Sequence, residues 1–463
     1  MAVKPPCLPV APCTFFALLF LLTAATFGQN FSDVKPTPYQ LEWQNLEFGV
    51  IIHFGLNTYT NKEWGDGTVS PRVFNPTDLD AGQWVRAAKS AGARYVIFVA
   101  KHHDGFCLWP THLTNYSVAS SPWEGGQGDV VRLVSDACRQ YGLKFGVYLS
   151  PWDRHEPFYK NDAAYDKFYE GQVAELATHY GPLEEWWLDG AGSAGHVYDF
   201  KRYLLTLRTY QPNTLIFSDV GLLPWADIRW VGNEAGIAPK ENWDVIDRAG
   251  YLRWRPAECD TPLHKLHWFW HPNDAGSLKS LPELLEIYNH SVGRGCNLLL
   301  GIAPDERGLI PQADVARLAE LGAALRKIYA KNLAPEGTLF TDVPGNPNAS
   351  AAADNDPGTF WRAPSGVRHA TIELDFAKPI TFDRTVTMEW LIDGQQIQKY
   401  QIQAWENGKW EILHDGSSIG HKKIDIFPIT TASKVRLRIL DASGPPALRE
   451  FQIYNGAGSD RPE

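Results

Sequence analysis

Eight short apolar segments, separated mostly by amphipathic ones, constrain the fold of this chain more than any other feature. Each is rich in β-branched and aromatic residues and is continuously apolar, as expected of strands buried on both faces. They cover residues 48–54, 95–100, 144–149, 185–188, 215–220, 228–232, 266–270 and 297–302. Helical periodicity marks residues 81–90, 130–141, 164–179, 198–210, 281–292 and 311–329. This alternation predicts an α/β protein with an irregular (β/α)8 barrel.

The pattern changes after about residue 333. Residues 335–353 are rich in Pro, Gly, Asn and Ala, and short alternating segments follow, some separated by turns such as Asn407-Gly408 and Asp415-Gly416. We therefore expect a catalytic barrel over residues 29–333 and an all-β sandwich over residues 334–463.

Residues 1–28 have the layout of a secretory signal peptide. Lys4 precedes an apolar run at residues 15–22, which is too short to span a membrane, and small residues follow. The sequence thus predicts export to the medium, a periplasm or the cell wall, with no membrane span. The net charge of −10 argues against a nucleic-acid partner. The cysteines outside this segment form no CxxC pair, which argues against a zinc site and leaves disulfide pairing open; they are Cys107, Cys138, Cys259 and Cys296.

Polar side chains follow most of the predicted barrel strands. In barrels of this kind the active site lies at the carboxyl ends of the strands, so these residues should meet at one face. They are His53, the string His102-His103-Asp104, Tyr148, Trp152-Asp153, Asp189, Asp219, Asn233-Glu234 and Trp270-His271. Carboxyl groups, imidazoles and aromatic rings together are suited to the cleavage of glycosidic bonds.

Several of these residues have alternative interpretations. His102 and His103 would share a metal ion only if the strand has already ended, because neighbouring strand residues point to opposite faces. We therefore predict no metal and no cofactor. Asp189 could merely cap a turn, Glu234 could be a solvated loop acid, and Glu258 competes with Glu234 for the same role.

Five strings resemble those of α-L-fucosidases of glycoside hydrolase family 29. They are Ile52-His53-Phe54-Gly55, Glu63-Trp64-Gly65, Lys101-His102-His103-Asp104-Gly105-Phe106, YLSPWDRH at residues 148–155 and Trp187-Leu188-Asp189-Gly190. Two further strings, at residues 232–236 and 268–271, are similar to the subgroup that prefers α-1,3/1,4-linked fucose on branched glycans, which includes plant enzymes. Residues 354–361 and 449–453 resemble a discoidin or galactose-binding-like sandwich.

The resemblance implies a retaining exo-α-L-fucosidase that acts on fucosylated oligosaccharides or glycoprotein glycans. It implies that Asp189 is the nucleophile and Glu234 the acid/base, with carboxyl groups about 5–5.5 Å apart. The substrate-binding positions that it implies are His53, Glu63, Trp64, His102, His103 and Tyr148, with Trp270 as an aromatic wall. Two alternatives remain open: an inactive secreted glycan-binding protein, and an exo-glycosidase for a fucose-like sugar.

Overall fold

The computed structural model describes residues 33–192, 195–218, 225–248, 251–265, 267–344 and 348–456. The signal peptide predicted for residues 1–28 and the strand-end residue Asp219 lie outside the described residues. Within that part of the chain, no helix is both long and apolar enough to cross a membrane.

The predicted barrel is confirmed. Eight parallel strands close on themselves in the order β1-β10-β9-β6-β5-β4-β3-β2, and an antiparallel hairpin, β7–β8, is inserted between β6 and β9. The strands are β1 Phe48–Ile52, β2 Tyr95–Lys101, β3 Lys144–Leu149, β4 Glu185–Leu188, β5 Leu215–Ser218, β6 Ile228–Trp230, β7 Val245–Arg248, β8 Tyr251–Trp254, β9 Ala257–Pro262 and β10 Asn297–Ile302.

Helices pack around the barrel, and their ends follow from local sequence. Asp80 accepts a hydrogen bond from Gln83 N (2.9 Å) at the start of α3, and Asp129 does the same from Arg132 N (2.8 Å) for α4. Gly142, at φ 73°, ends α4 in the left-handed region. The helices are α1 Pro38–Gln44, α2 Leu56–Thr60, α3 Ala81–Ala91, α4 Val130–Tyr141, α5 Asp162–His179, α6 Phe200–Tyr210, α7 Leu281–Ser291 and α8 Gln312–Ile328.

One predicted strand is wrong. The seventh barrel strand is β9, with the sequence AECDTP, and not residues 266–270. Residues 267–270 belong to the loop that follows β9, and Leu266 lies outside the described residues. The hydrophobic pattern missed β9 because two of its buried side chains, Glu258 and Asp260, are acids.

Glu258 lies inside the barrel and is fully buried. Its carboxylate accepts hydrogen bonds from Tyr95 Oη (2.7 Å) and Trp187 Nε1 (2.9 Å). Glu185 lies beside it and accepts from Trp43 Nε1 (2.8 Å). Burial raises the pKa of both carboxyl groups, and repulsion from Glu258 raises that of Glu185 further. Glu258 is therefore an interior residue rather than a competitor of Glu234.

The C-terminal part is all β, as predicted. Its antiparallel strands run in the order β12-β17-β13-β16-β14-β15, and β11 pairs with β13. They are β11 Thr338–Thr341, β12 Trp361–Arg362, β13 Ala370–Glu389, β14 Ile397–Glu406, β15 Lys409–Gly416, β16 Lys423–Ala442 and β17 Ala447–Tyr454. β13 and β16 are 20 residues long each, and register shifts mark irregularities along their pairing.

The sandwich is hydrogen-bonded to the barrel segment that follows β6. Ser418 Oγ accepts a hydrogen bond from Asn242 N (3.1 Å). Gln395 Nε2 donates to Asn242 O (3.1 Å), and its Oε1 accepts from Asp244 N (3.0 Å). Lys423 Nζ donates to Lys240 O (2.7 Å). Residues 240–244 are thus held by side chains of the other domain.

Candidate active site

A cavity of about 300 Å³ opens at the carboxyl ends of the barrel strands. Seven of the nine predicted site residues line it: His53, Trp64, His102, His103, Tyr148, Asp189 and Glu234. Glu63 and Trp270 do not. The lining also includes Ile51, Trp187, Gly190, Ala191, Trp230, Asp260 and Trp268.

Asp189 follows β4 directly and is held by two donors. The Tyr148 hydroxyl, from β3, donates to Oδ2 (2.8 Å), and Ala191 N donates to Oδ1 (2.8 Å). His103 Nε2 lies 3.5 Å from Oδ2. These hydrogen bonds fix the direction of the Asp189 side chain. Asp189 is therefore an oriented carboxylate that points into the cavity.

The end of β2 is fixed by a buried ion pair. Lys101 Nζ lies 3.0 Å from Asp153 Oδ2 and donates to Gln172 Oε1 (2.9 Å). Gly105 follows at φ 85°, where a Cβ would lie 2.5 Å from Asp153 Oδ1, so this turn requires glycine. The pairing places His102 and His103 at the point where the strand has ended.

The imidazoles of the cavity are shielded from water. Burial lowers the pKa of His53 to about 3 and that of His103 to about 4, although Asp189 raises the latter. Burial also lowers the pKa of His102. These rings are therefore neutral at neutral pH and can donate or accept hydrogen bonds with sugar hydroxyls. The described residues contain no group of three or more His, Cys, Asp or Glu arranged to hold a metal ion.

Glu63 lies behind the cavity wall and holds the loop after β9. Its carboxylate accepts from Trp268 N (2.9 Å) and Phe269 N (3.1 Å), and lies 2.7 Å from His271 Nε2. These contacts bring Trp268 to the cavity, where its ring lies 5.2 Å from that of His53. Trp270 lines a separate cavity behind this loop.

Glu234 lies on the exposed loop after β6, at the rim of the cavity. Partial burial raises the pKa of its carboxyl group, and the nearby Asp189 and Glu63 carboxylates raise it further, whereas a hydrogen bond from the Trp268 side chain lowers it. A raised pKa is the property that a proton donor needs near neutral pH. Asp189 and Glu234 thus face one cavity in different surroundings.

Sequence reasoning missed Asp260 and the indoles of Trp187, Trp230 and Trp268 as cavity residues. Asp260 is 5% exposed and accepts from Trp230 Nε1 (2.6 Å). Burial raises the pKa of Asp260 well above its usual value, and Glu258 and Glu234 add to the effect. A correct assignment of β9 would have placed Asp260 near the carboxyl end of its strand, where site residues are expected.

Comparison with known proteins places these residues in a family. The family model for alpha-L-fucosidase matches residues 21–329, and that for the F5/8 type C domain matches residues 338–451. Alpha-L-fucosidase 1 of Arabidopsis thaliana is 35% identical over 477 residues, covering 95% of this chain and 93% of the plant protein. Plasma alpha-L-fucosidase of Rattus norvegicus is 26% identical over 349 residues, covering 66% of this chain and 69% of the rat protein.

A solved structure agrees with the sequence matches. The Ruminococcus gnavus GH29 fucosidase in complex with fucose superposes with a TM-score of 0.85 at 29% identity. The match covers 93% of this chain and 96% of that one, so both domains have a counterpart in it.

Proposed function

This chain belongs to the alpha-L-fucosidase family and is a glycosidase that removes terminal α-linked L-fucose, and we propose that it works by a retaining double displacement at Asp189 and Glu234. The observation that carries the proposal is that one cavity holds both an oriented carboxylate and a carboxyl group of raised pKa. Retaining glycosidases need this pair.

In the first step, an Asp189 carboxylate oxygen attacks the anomeric carbon. The bond from that carbon to the glycosidic oxygen breaks, and the departing oxygen takes the proton of Glu234. The Tyr148 hydroxyl and Ala191 N hold the attacking group in position. The product of this step is a fucosyl ester of Asp189 with Glu234 ionised.

In the second step, Glu234 takes a proton from water while the water oxygen attacks the same carbon. The ester bond to Asp189 breaks, fucose leaves with its configuration retained, and Glu234 is protonated again. Glu234 is exposed in the free protein. A bound glycan would cover it and raise its pKa further, because burial disfavours the charged form.

The neutral imidazoles and the indoles bind the sugar. His53, His102 and His103 are in a position to bind the fucose hydroxyls, while Trp64 presents a ring that is 53% exposed at the rim. Flat aromatic surface packs against the apolar faces of sugars. Glu63 acts by holding Trp268, whereas Trp270 lies outside this cavity.

The linkage preference is part of the same proposal. The strings around Glu234 and Trp268 are similar to the subgroup that prefers α-1,3/1,4-linked fucose, and both contribute cavity residues. We also propose that residues 1–28 direct export, which agrees with a glycan substrate outside the cytoplasm. Hydrolysis of a Lewis-type trisaccharide in preference to a 1,2-linked one would support the linkage, and the reverse order would contradict it.

Azide rescue of two variants tests the roles of the carboxyl groups. Asp189→Ala should lower kcat on an aryl fucoside by about 10³-fold or more, and Glu234→Ala by about 10²–10⁴-fold on a poor leaving group. With an aryl fucoside whose leaving group departs without protonation, azide should restore turnover in both variants. It should give β-fucosyl azide with Asp189→Ala, because it replaces the nucleophile, and α-fucosyl azide with Glu234→Ala, because it replaces water.

Glu286→Gln, an exposed change on α7, is the matched control and should leave kcat unchanged. Proton NMR identifies each anomer directly. Wild-type turnover by Asp189→Ala, or the same anomer from both variants, would refute the assignment.

A further inference from the structure

A second cavity, of about 530 Å³, lies where the barrel meets the sandwich. We call it the junction cavity. The barrel contributes the loop after β6 and the end of α7, and the sandwich contributes β14, β15 and β16. Its basic side chains are Lys240, His290, Arg294, Lys399, His414 and Lys423.

The junction cavity has an excess of positive charge in a chain of net charge −10. Four lysine or arginine side chains line it, against two carboxylates, Asp415 and Asp425. Both carboxylates are engaged by their own domain. Asp425 accepts from Tyr400 Oη (2.8 Å) and lies 3.1 Å from His414 Nε2, while Asp415 accepts from Gln401 Nε2 (2.7 Å).

Two of the cations, Lys423 and Arg294, are partly or wholly shielded from water. Lys423 is 7% exposed and donates to Lys240 O (2.7 Å), and Arg294 donates to Ala238 O. Within the described part of the chain, neither forms an ion pair. Burial lowers the pKa of both groups. Asp425 attracts Lys423 from beyond ion-pair distance, so the positive charge of the cavity is compensated only in part, and an anion placed there would be stabilised.

The residues that line the junction cavity also indicate which kind of ligand fits it. It contains no Trp, Tyr or Phe, so it offers no flat surface for stacking against a neutral sugar. Asn289, Gln398 and Ser417 provide neutral hydrogen-bonding groups beside the cations. Such a set suits a sulfate or carboxylate group together with neighbouring hydroxyls.

We propose that the junction cavity binds a saccharide that carries a sulfate or carboxylate group. The saccharide part of this inference rests on the proposed function, because a fucosidase meets glycans; the anion part does not. The site is separate from the cavity that holds Asp189, and the ligand is bound there without being cleaved.

Titration calorimetry at low salt tests the proposal, with galactose 6-sulfate, inorganic sulfate and galactose as probes. The protein is made in a bacterial host, so that the sequon at Asn289 carries no glycan. We expect galactose 6-sulfate to bind more tightly than sulfate, and galactose not to bind. Lys240→Gln/Lys399→Gln removes two exposed cations and should weaken the binding of galactose 6-sulfate by about tenfold. Lys423→Gln, at the buried cation, should weaken it at least as much.

Lys167→Gln/Lys378→Gln, two exposed lysines elsewhere, is the matched control and should bind like the wild type. Absence of binding, or equal affinity in wild type and both cavity variants, would overturn the proposal. Equal affinity for sulfate and galactose 6-sulfate would overturn its saccharide part. Aryl fucoside hydrolysis is measured in parallel and should be unchanged in Lys240→Gln/Lys399→Gln, which separates this result from any failure of the proposed catalytic roles.

Discussion

Asp260 provides a direct test of how charge is distributed around the proposed acid. Its carboxyl group is buried beside Glu234, and burial raises its pKa well above the usual value. We therefore expect it to be protonated at neutral pH. Asp260→Asn keeps this shape and neutral charge, whereas Asp260→Ala removes the acceptor of the Trp230 indole N–H.

The two variants should differ in how much kcat/KM falls. A buried donor that loses its acceptor costs about 1–3 kcal/mol. If that cost is expressed in the transition state, kcat/KM falls by about 5–150-fold, since 1.4 kcal/mol corresponds to tenfold. Asp260→Ala should show this loss. Asp260→Asn should stay within about threefold of the wild type, because the Trp230 hydrogen bond and the neutral charge are preserved.

The assay is kcat/KM for an aryl fucoside between about pH 4 and about pH 9, which reports groups in the free enzyme. Thermal unfolding of each variant shows whether a loss arises from the site or from the fold. If Asp260→Asn is impaired as severely as Asp260→Ala at neutral pH, the carboxyl group acts as an anion and the reasoning from burial is wrong.

Two further substitutions test the support of the site and of the barrel. Glu63→Gln places an amide NH2 group against a backbone N–H of the loop after β9, so one hydrogen bond to that loop is lost. We expect kcat/KM to fall by about tenfold with little change in Tm. An unchanged kcat/KM would show that Trp268 is held by other contacts. Glu185→Gln replaces an interior carboxyl group of raised pKa by a neutral amide. Between the unfolded pKa and the raised folded pKa, the folded wild type binds one more proton than the unfolded chain, so its stability falls by about 1.4 kcal/mol per pH unit as pH rises. The variant lacks this dependence of stability on pH, so its Tm relative to that of the wild type should increase from acid to alkaline pH. A difference in Tm that does not change with pH would contradict a protonated Glu185 in the folded protein.

Much of the fold follows from the sequence because apolar and aromatic residues dominate seven of the eight barrel strands. β9 could not be found in this way. Glu258 of this strand lies in the barrel interior, and Asp260 lines the cavity. Because of these two acids, the strand lacks the apolar run that marks the other strands in the sequence. The aromatic residues 267–270 matched the expected pattern better, yet they form a loop held by Glu63.

The site was predictable where a residue directly follows a correctly assigned strand. His102, His103 and Asp189 line the cavity for this reason. Trp268 and Trp270 could not be told apart from the sequence, because the choice depends on how Glu63 and His271 anchor their loop. The position of Glu234 in the cavity lining likewise depends on the path of the loop after β6 and not on any local pattern.

That loop makes the two domains dependent on each other. Glu234 lies only a few residues before the segment whose backbone is held by Lys423, Ser418 and Gln395 of the sandwich. Removing the C-terminal module would take away these hydrogen bonds and leave the loop of the proposed acid to the barrel's own contacts, such as Ala238 N with His290 O. Within the described residues, the module contributes no side chain to the cavity that holds Asp189. We therefore expect a barrel without its sandwich to keep Asp189 in place but to position Glu234 less precisely, which would make the sandwich a remote support for the proposed acid.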